Sequence, residues 1–181
     1  MRKFILIVSM AFLLVGCSLS NTPSKRVEDV LKKYQTLDNG VIDNLELITE
    51  GMEDLKDSKD KEKYIKIMKN QYSELKYTIK DERIEGDEAT VTVDISVYDY
   101  YKIQKDAKEY ADSHPDEFMS DDEYDESKFL NYKLDKMKDA SERVEYTLDI
   151  KLLKENDKWE VMEFDKDTLE KIHGTYNYKR D

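Results

Sequence analysis

A single cysteine, Cys17, stands among 181 residues, so no internal disulfide can brace the fold and stability has to come from a packed core. Glycine is nearly as sparse, at five residues, and neither a Walker loop nor a Gly-x-Gly-x-x-Gly string occurs, which argues against nucleotide handling. The only histidines are His114 and His173, and no nucleophile–histidine–acid arrangement can be named around either. Apolar runs are short: the longest, residues 4–15, falls well below the roughly 20 residues a membrane-crossing helix needs. Positive charge is also in deficit, with 30 Lys and Arg against 42 Asp and Glu and a net charge of −12. Such a surface offers little to nucleic-acid phosphates or to anionic lipid headgroups.

What is present begins at the N-terminus. Arg2 and Lys3 form a positive start, residues 4–15 form an apolar stretch of signal-peptide length, and Leu14-Val15-Gly16-Cys17 follows. This string resembles the lipobox of bacterial lipoproteins, with Val15 where Ala or Ser is commoner. The resemblance implies removal of residues 1–16 and acylation of Cys17. Each buried methylene contributes about 0.8 kcal/mol, so two or more acyl chains hold a protein on a membrane stably where one does not. Cleavage also removes Arg2 and Lys3, leaving the mature chain two units more negative than the −12 of the whole. Heavy use of Lys, Ile, Asp, Glu and Tyr matches the style of AT-rich bacterial genomes.

Residues 17–21 read as a lipidated tether and residues 22–181 as one domain. Thr22-Pro23 supplies an N-cap and a first-turn proline. Val27, Val30, Leu31, Tyr34 and Leu37 then recur at helical spacing, followed after Asp38-Asn39-Gly40 by Val41, Leu45, Ile48 and Met52. Tyr64, Met68, Tyr72 and Leu75 mark a third helix. From Leu75 the period falls to two: Tyr77 and Ile79, then, after Glu85-Gly86-Asp87, Ala89, Val91, Val93, Ile95 and Val97 predict a hairpin. Tyr100, Ile103, Ala107 and Tyr110 predict a helix, as do Phe129, Leu130, Leu134 and Met137. Residues 112–126 between them carry eight carboxylates and read as a repulsive loop. Val144, Tyr146, Leu148, Ile150 and Leu152 then alternate, Glu155-Asn156-Asp157-Lys158 turns, and residues 159–164 form the partner strand. Asp167 caps a last helix that stops at Gly174.

The expected class is therefore α+β: N-terminal helices packed on a curved four-stranded antiparallel sheet, with a helical insertion between the two hairpins. That order, with Thr22-Pro23-Ser24-Lys25-Arg26-Val27 and Ile84-Glu85-Gly86-Asp87-Glu88-Ala89-Thr90-Val91-Thr92-Val93, resembles small bacterial lipoproteins of the nuclear transport factor two-like, or cystatin-like, superfamily. The resemblance implies a cone whose open end sometimes holds a small apolar ligand. It also raises a ketosteroid-isomerase-like alternative, in which carboxylates and tyrosines inside the cone do acid–base work.

Inward strand parity selects the pocket candidates. Asp99 and Tyr101 continue the odd series of Val91 to Val97, Asp81 and Arg83 continue that of Tyr77 and Ile79, and Tyr146 lies on the apolar face of the later hairpin. Rim solvation competes with the pocket reading for all but Tyr146. His114 sits near Asp112, Asp116 and Glu117, but the segment has no glycine for a calcium-loop turn, so neither metal nor cofactor is expected. The expectation is a non-enzymatic binding domain moored by Cys17 to the outer face of the cytoplasmic membrane. Its partner would be a small apolar ligand or another envelope protein, and not nucleic acid.

Overall fold

The structure, a computed structural model, describes residues 21–179; the leader, Cys17 and the rest of the tether before Asn21 lie outside the described residues. Helix α1 (Pro23–Gln35) starts where Thr22 accepts a hydrogen bond from the Lys25 amide, and buries Val27 and Leu31. In α2 (Asn39–Glu50) only Leu45 and Thr49 are buried, while Leu47 and Ile48 remain 72% and 39% exposed. Helix α3 (Ser58–Ser73) is the most deeply packed of the three, with Ile67, Met68, Gln71 and Tyr72 inside.

Strands β1 (Lys76–Glu85) and β2 (Glu88–Tyr98) form the first hairpin. An insertion follows: α4 (Tyr100–Ser113), a 3-10 turn at Pro115–Phe118, the two-residue strands β3 (Met119–Ser120) and β4 (Glu123–Tyr124), and α5 (Glu126–Lys138). The second hairpin is β5 (Arg143–Glu155) and β6 (Lys158–Val161), and α6 (Lys166–His173) closes the chain. The main sheet is antiparallel in the order β1-β2-β5-β6. Pairing of Val91 with Ile150, Val93 with Leu148 and Ile95 with Tyr146 gathers the apolar residues on one face, against the helices. The α+β class, the four-stranded sheet and the insertion between hairpins are as expected.

Four details differ. In β1 the register steps from Ile79 opposite Val93 to Asp81 opposite Thr92, so a β-bulge reverses the parity beyond it. Asp81 and Arg83 consequently face outward with Thr92 and Thr90, while Glu82 takes the inner side and accepts the Ser24 amide of α1 at 2.8 Å. Residues 112–126 are more ordered than a repulsive loop: Phe118 is buried, edge-on to Tyr110, Phe129 and Tyr132, while Asp121 and Asp122 turn the β3–β4 pair at positive φ. Carboxylates that reach water do not prevent one aromatic from anchoring the segment. Asp165, not Asp167, caps α6, and β6 ends at Val161 instead of continuing to residue 164.

Candidate functional site

The second half of α1, the weakly buried helix α2 and the segment joining β6 to α6 enclose a cleft of about 320 Å³. Its walls are apolar, from Val30, Val41, Leu45, Ile48, Phe164 and Leu169; Lys33, Asp38 and Glu163 supply charges among the lining residues. Tyr34, Tyr72 and His173 provide aromatic and polar groups within it. Tyr34 meets Tyr72 edge-on at 5.1 Å, and the Tyr72 hydroxyl lies 2.9 Å from His173 Nε2.

Burial controls the charge of this group. It pushes the His173 imidazole down to about 4, well below its ordinary value, and pushes the Tyr34 and Tyr72 phenols up. At neutral pH the cleft therefore holds an imidazole and two phenols, all uncharged. Such groups can hydrogen-bond a ligand without the desolvation penalty of a buried ion.

Adjacent residues of α3 fix His173 from both ends. Tyr72 contacts the ring, while Gln71 Nε2 donates to the His173 carbonyl at 2.9 Å. The same amide nitrogen donates to the Tyr98 carbonyl at 3.1 Å, and Gln71 Oε1 accepts from the Tyr98 amide at 2.9 Å. Gly174, at φ 72°, ends α6 in the left-handed region, and its carbonyl accepts from the Tyr101 amide at 2.8 Å. One buried glutamine thus joins three elements beneath the cleft.

The sequence candidates occupy other places. Asp99 lies beyond β2 and caps α4, its Oδ1 accepting from the Lys102 amide at 2.9 Å and its Oδ2 from the Tyr178 hydroxyl at 3.1 Å. Tyr101 belongs to α4, and its ring meets Tyr178 at 5.0 Å. Tyr146 lies on the inner face of β5 and meets Tyr176 edge-on at 5.9 Å. These three share one end of the sheet, with tail tyrosines packed against them. Asp81 and Arg83 lie apart on the outer face, where Arg83 pairs with exposed Glu85 at 3.3 Å. Alternation alone gave no warning of the bulge, because residues 80–83 are all charged.

Tyr146 also carries a buried hydroxyl with no hydrogen-bond partner. Burial first, then the nearby Asp99 charge, pushes this phenol up. Leaving such a group unpaired costs about 1–3 kcal/mol, so Tyr146→Phe is expected to stabilise the fold by about 1 kcal/mol in urea unfolding. A variant less stable than the parent would show that the hydroxyl has a partner.

Among the described residues no group of three or more His, Cys, Asp or Glu could hold a metal ion. The His114 ring instead stacks on Tyr110 at 4.1 Å, with Nδ1 3.0 Å from the Tyr110 carbonyl. No helix of the described residues is long and apolar enough to cross a membrane.

No family model and no curated protein matches the chain. Among solved structures, the "putative lipoprotein (ycdA)" of Bacillus subtilis is similar at 20% identity and a TM-score of 0.48. The match covers 77% of this chain and 47% of that one, so the chain spans about half the length of that protein.

Proposed function

We propose that this chain is a lipid-anchored, non-enzymatic binding protein of the bacterial envelope, with a nuclear transport factor two-like body that takes a small apolar ligand. The leader at residues 1–16 and the Leu14-Val15-Gly16-Cys17 string support the anchor and its outer-face address. The observation that carries the binding role is the apolar cleft of about 320 Å³ with uncharged Tyr72 and His173 in its lining. Concavity, apolar walls and a few convergent polar groups are the usual marks of a small-molecule site. The isomerase-like alternative has less support, because Tyr176 and Tyr178 pack against Tyr146 and Asp99.

Two measurements test this reading. Acid-stable labelling with an alkyne fatty acid should appear on the native chain and vanish in Cys17→Ser. The uncharged fluorophore N-phenyl-1-naphthylamine should bind the purified protein, and Ile48→Glu should weaken it by at least about tenfold, equivalent to 1.4 kcal/mol. Leu47→Glu, on the same helix but outside the cleft lining, should leave binding unchanged. Equal effects of the two substitutions would refute the cleft as the site.

A further inference from the structure

If Cys17 is the anchor, the way the chain joins the fold determines which surface meets the membrane. Asn21 Nδ2 donates to the Asp157 carbonyl at 2.7 Å, and Asn21 Oδ1 accepts from the Trp159 amide at 3.4 Å. Three residues later the Ser24 amide and hydroxyl both donate to Glu82 on β1. The start of α1 is therefore clamped to both hairpins.

Those hairpins turn at the same end of the sheet. Glu88 pairs with Leu153, and the Lys154 amide donates to the Asp87 carbonyl at 2.8 Å, which brings the β1–β2 loop beside the β5–β6 turn. Only residues 18–20 separate Cys17 from clamped Asn21, so the tether reaches about 14 Å at full extension. A folded body of this length has a radius of gyration of roughly 15 Å and is about 40 Å across. A tether that short cannot let the body turn over.

We infer that the two hairpin tips are the membrane-facing surface of this protein, with a lipid headgroup layer as their partner. This rests on the anchoring role of Cys17 proposed above. The tips carry Glu85, Asp87, Glu88, Glu155 and Asp157 against exposed Lys158; Lys154 and Arg83 are paired with Asp157 and Glu85, so negative charge is in excess. The surface fits uncharged or zwitterionic headgroups and is repelled by anionic ones over about 8 Å at physiological salt. The covalent tether, not electrostatic attraction, keeps it there.

The placement also concerns the ligand. Helix α1 starts at the clamp and contributes Val30 and Tyr34 to the cleft, roughly 10–17 Å farther along its axis. Val161, which ends β6, and residues 162–164 beyond it line the same cleft, so α1 and β6 leave the tips together. The cleft stands clear of the headgroups, and its ligand exchanges with the aqueous envelope.

Trp159, the sole tryptophan, lies beside the Asn21 clamp and reports on this geometry without a label. The lipidated chain in phosphatidylcholine vesicles containing nitroxide-headgroup lipid should show several-fold stronger quenching of Trp159 than of Asp139→Trp in a Trp159→Phe chain. Asp139 follows α5 near the start of β5, at the opposite end of the sheet. Adding phosphatidylglycerol at low salt should reduce Trp159 quenching, and added salt should restore it. A twenty-residue Gly/Ser insertion between Ser20 and Asn21, with a mean span of roughly 25 Å, should also weaken it. Equal or reversed quenching at the two ends, or indifference to the insertion, would overturn the inference; the insertion arm decides it if the Trp159→Phe chain does not fold. Repeating the measurement with unlipidated protein coupled through Cys17 to a maleimide lipid separates the two ideas: loss of fatty-acid labelling refutes the natural anchor, whereas a wrong quenching pattern on the coupled protein refutes the orientation.

Discussion

Gly174→Ala is expected to remove about 4 kcal/mol of stability, a large share of what a domain of this kind possesses. At φ 72° an alanine already bears a conformational penalty of about 1 kcal/mol. The added Cβ would also lie 2.1 Å from the Tyr98 carbonyl oxygen and 2.4 Å from Gln71 Nε2. The first neighbour is backbone of the central strand β2, and the second belongs to a buried side chain making three hydrogen bonds. Neither can retreat without leaving buried polar groups unpaired, at about 1–3 kcal/mol each. With a urea dependence of about 2 kcal/mol per molar, the unfolding midpoint should fall by roughly 2 M. Gly86→Ala provides the comparison: its φ is 67°, but nothing lies within 4 Å of the new Cβ. It should cost only about 1 kcal/mol. Similar losses at the two sites would mean that conformation, not the Gln71 junction, controls Gly174.

That junction also shows what sequence reading could and could not reach. The period changes at Leu75, the Thr22 cap and the Asn156-Asp157 turn are local, and the α+β order follows from them. The bulge in β1 is local too, but Lys80, Asp81, Glu82 and Arg83 contain no apolar residue to reveal which side faces inward. Extending the alternation of β2 carries Asp99 and Tyr101 inward, whereas the Asp99 cap begins a helix and breaks the alternation. On α2, the stripe of Val41, Leu45 and Ile48 is legible as helical, but a core stripe and a cleft wall have the same spacing. His173 gives still less warning, since Tyr72 lies 101 residues away and the clamp through Gln71 spans 102. Helix and strand identity are properties of short segments; this candidate site depends on contacts between distant ones.

Acidification should destabilise the wild-type fold between pH 6.5 and 4 through His173, beyond any loss caused by carboxylates. Its folded value, about 4, is depressed from the ordinary 6.5, so below pH 6.5 the unfolded chain binds the proton more readily than the native one. The stabilisation from keeping the ring neutral is present above 6.5, declines as pH falls and levels off below about 4. A separation of this size corresponds to about 3 kcal/mol at most. His173 also ends α6, where the helix dipole favours a cation by up to about 1 kcal/mol, so about 2 kcal/mol is the expected result at pH 4.5. His173→Gln retains a neutral polar side chain but cannot charge. The drop in urea stability from pH 7 to 4.5 should therefore be about 2 kcal/mol smaller in the variant than in the parent. The native ring takes its proton only near its folded value of about 4, beside Tyr72 in a cleft that Lys33, Asp38 and Glu163 also line, so bound N-phenyl-1-naphthylamine should leave the wild type around that pH and remain on His173→Gln. Identical pH dependence in the two proteins would show that the imidazole is solvated in the native state. The Tyr34 and Tyr72 phenols would then be the polar groups of the cleft that stay uncharged under acid conditions.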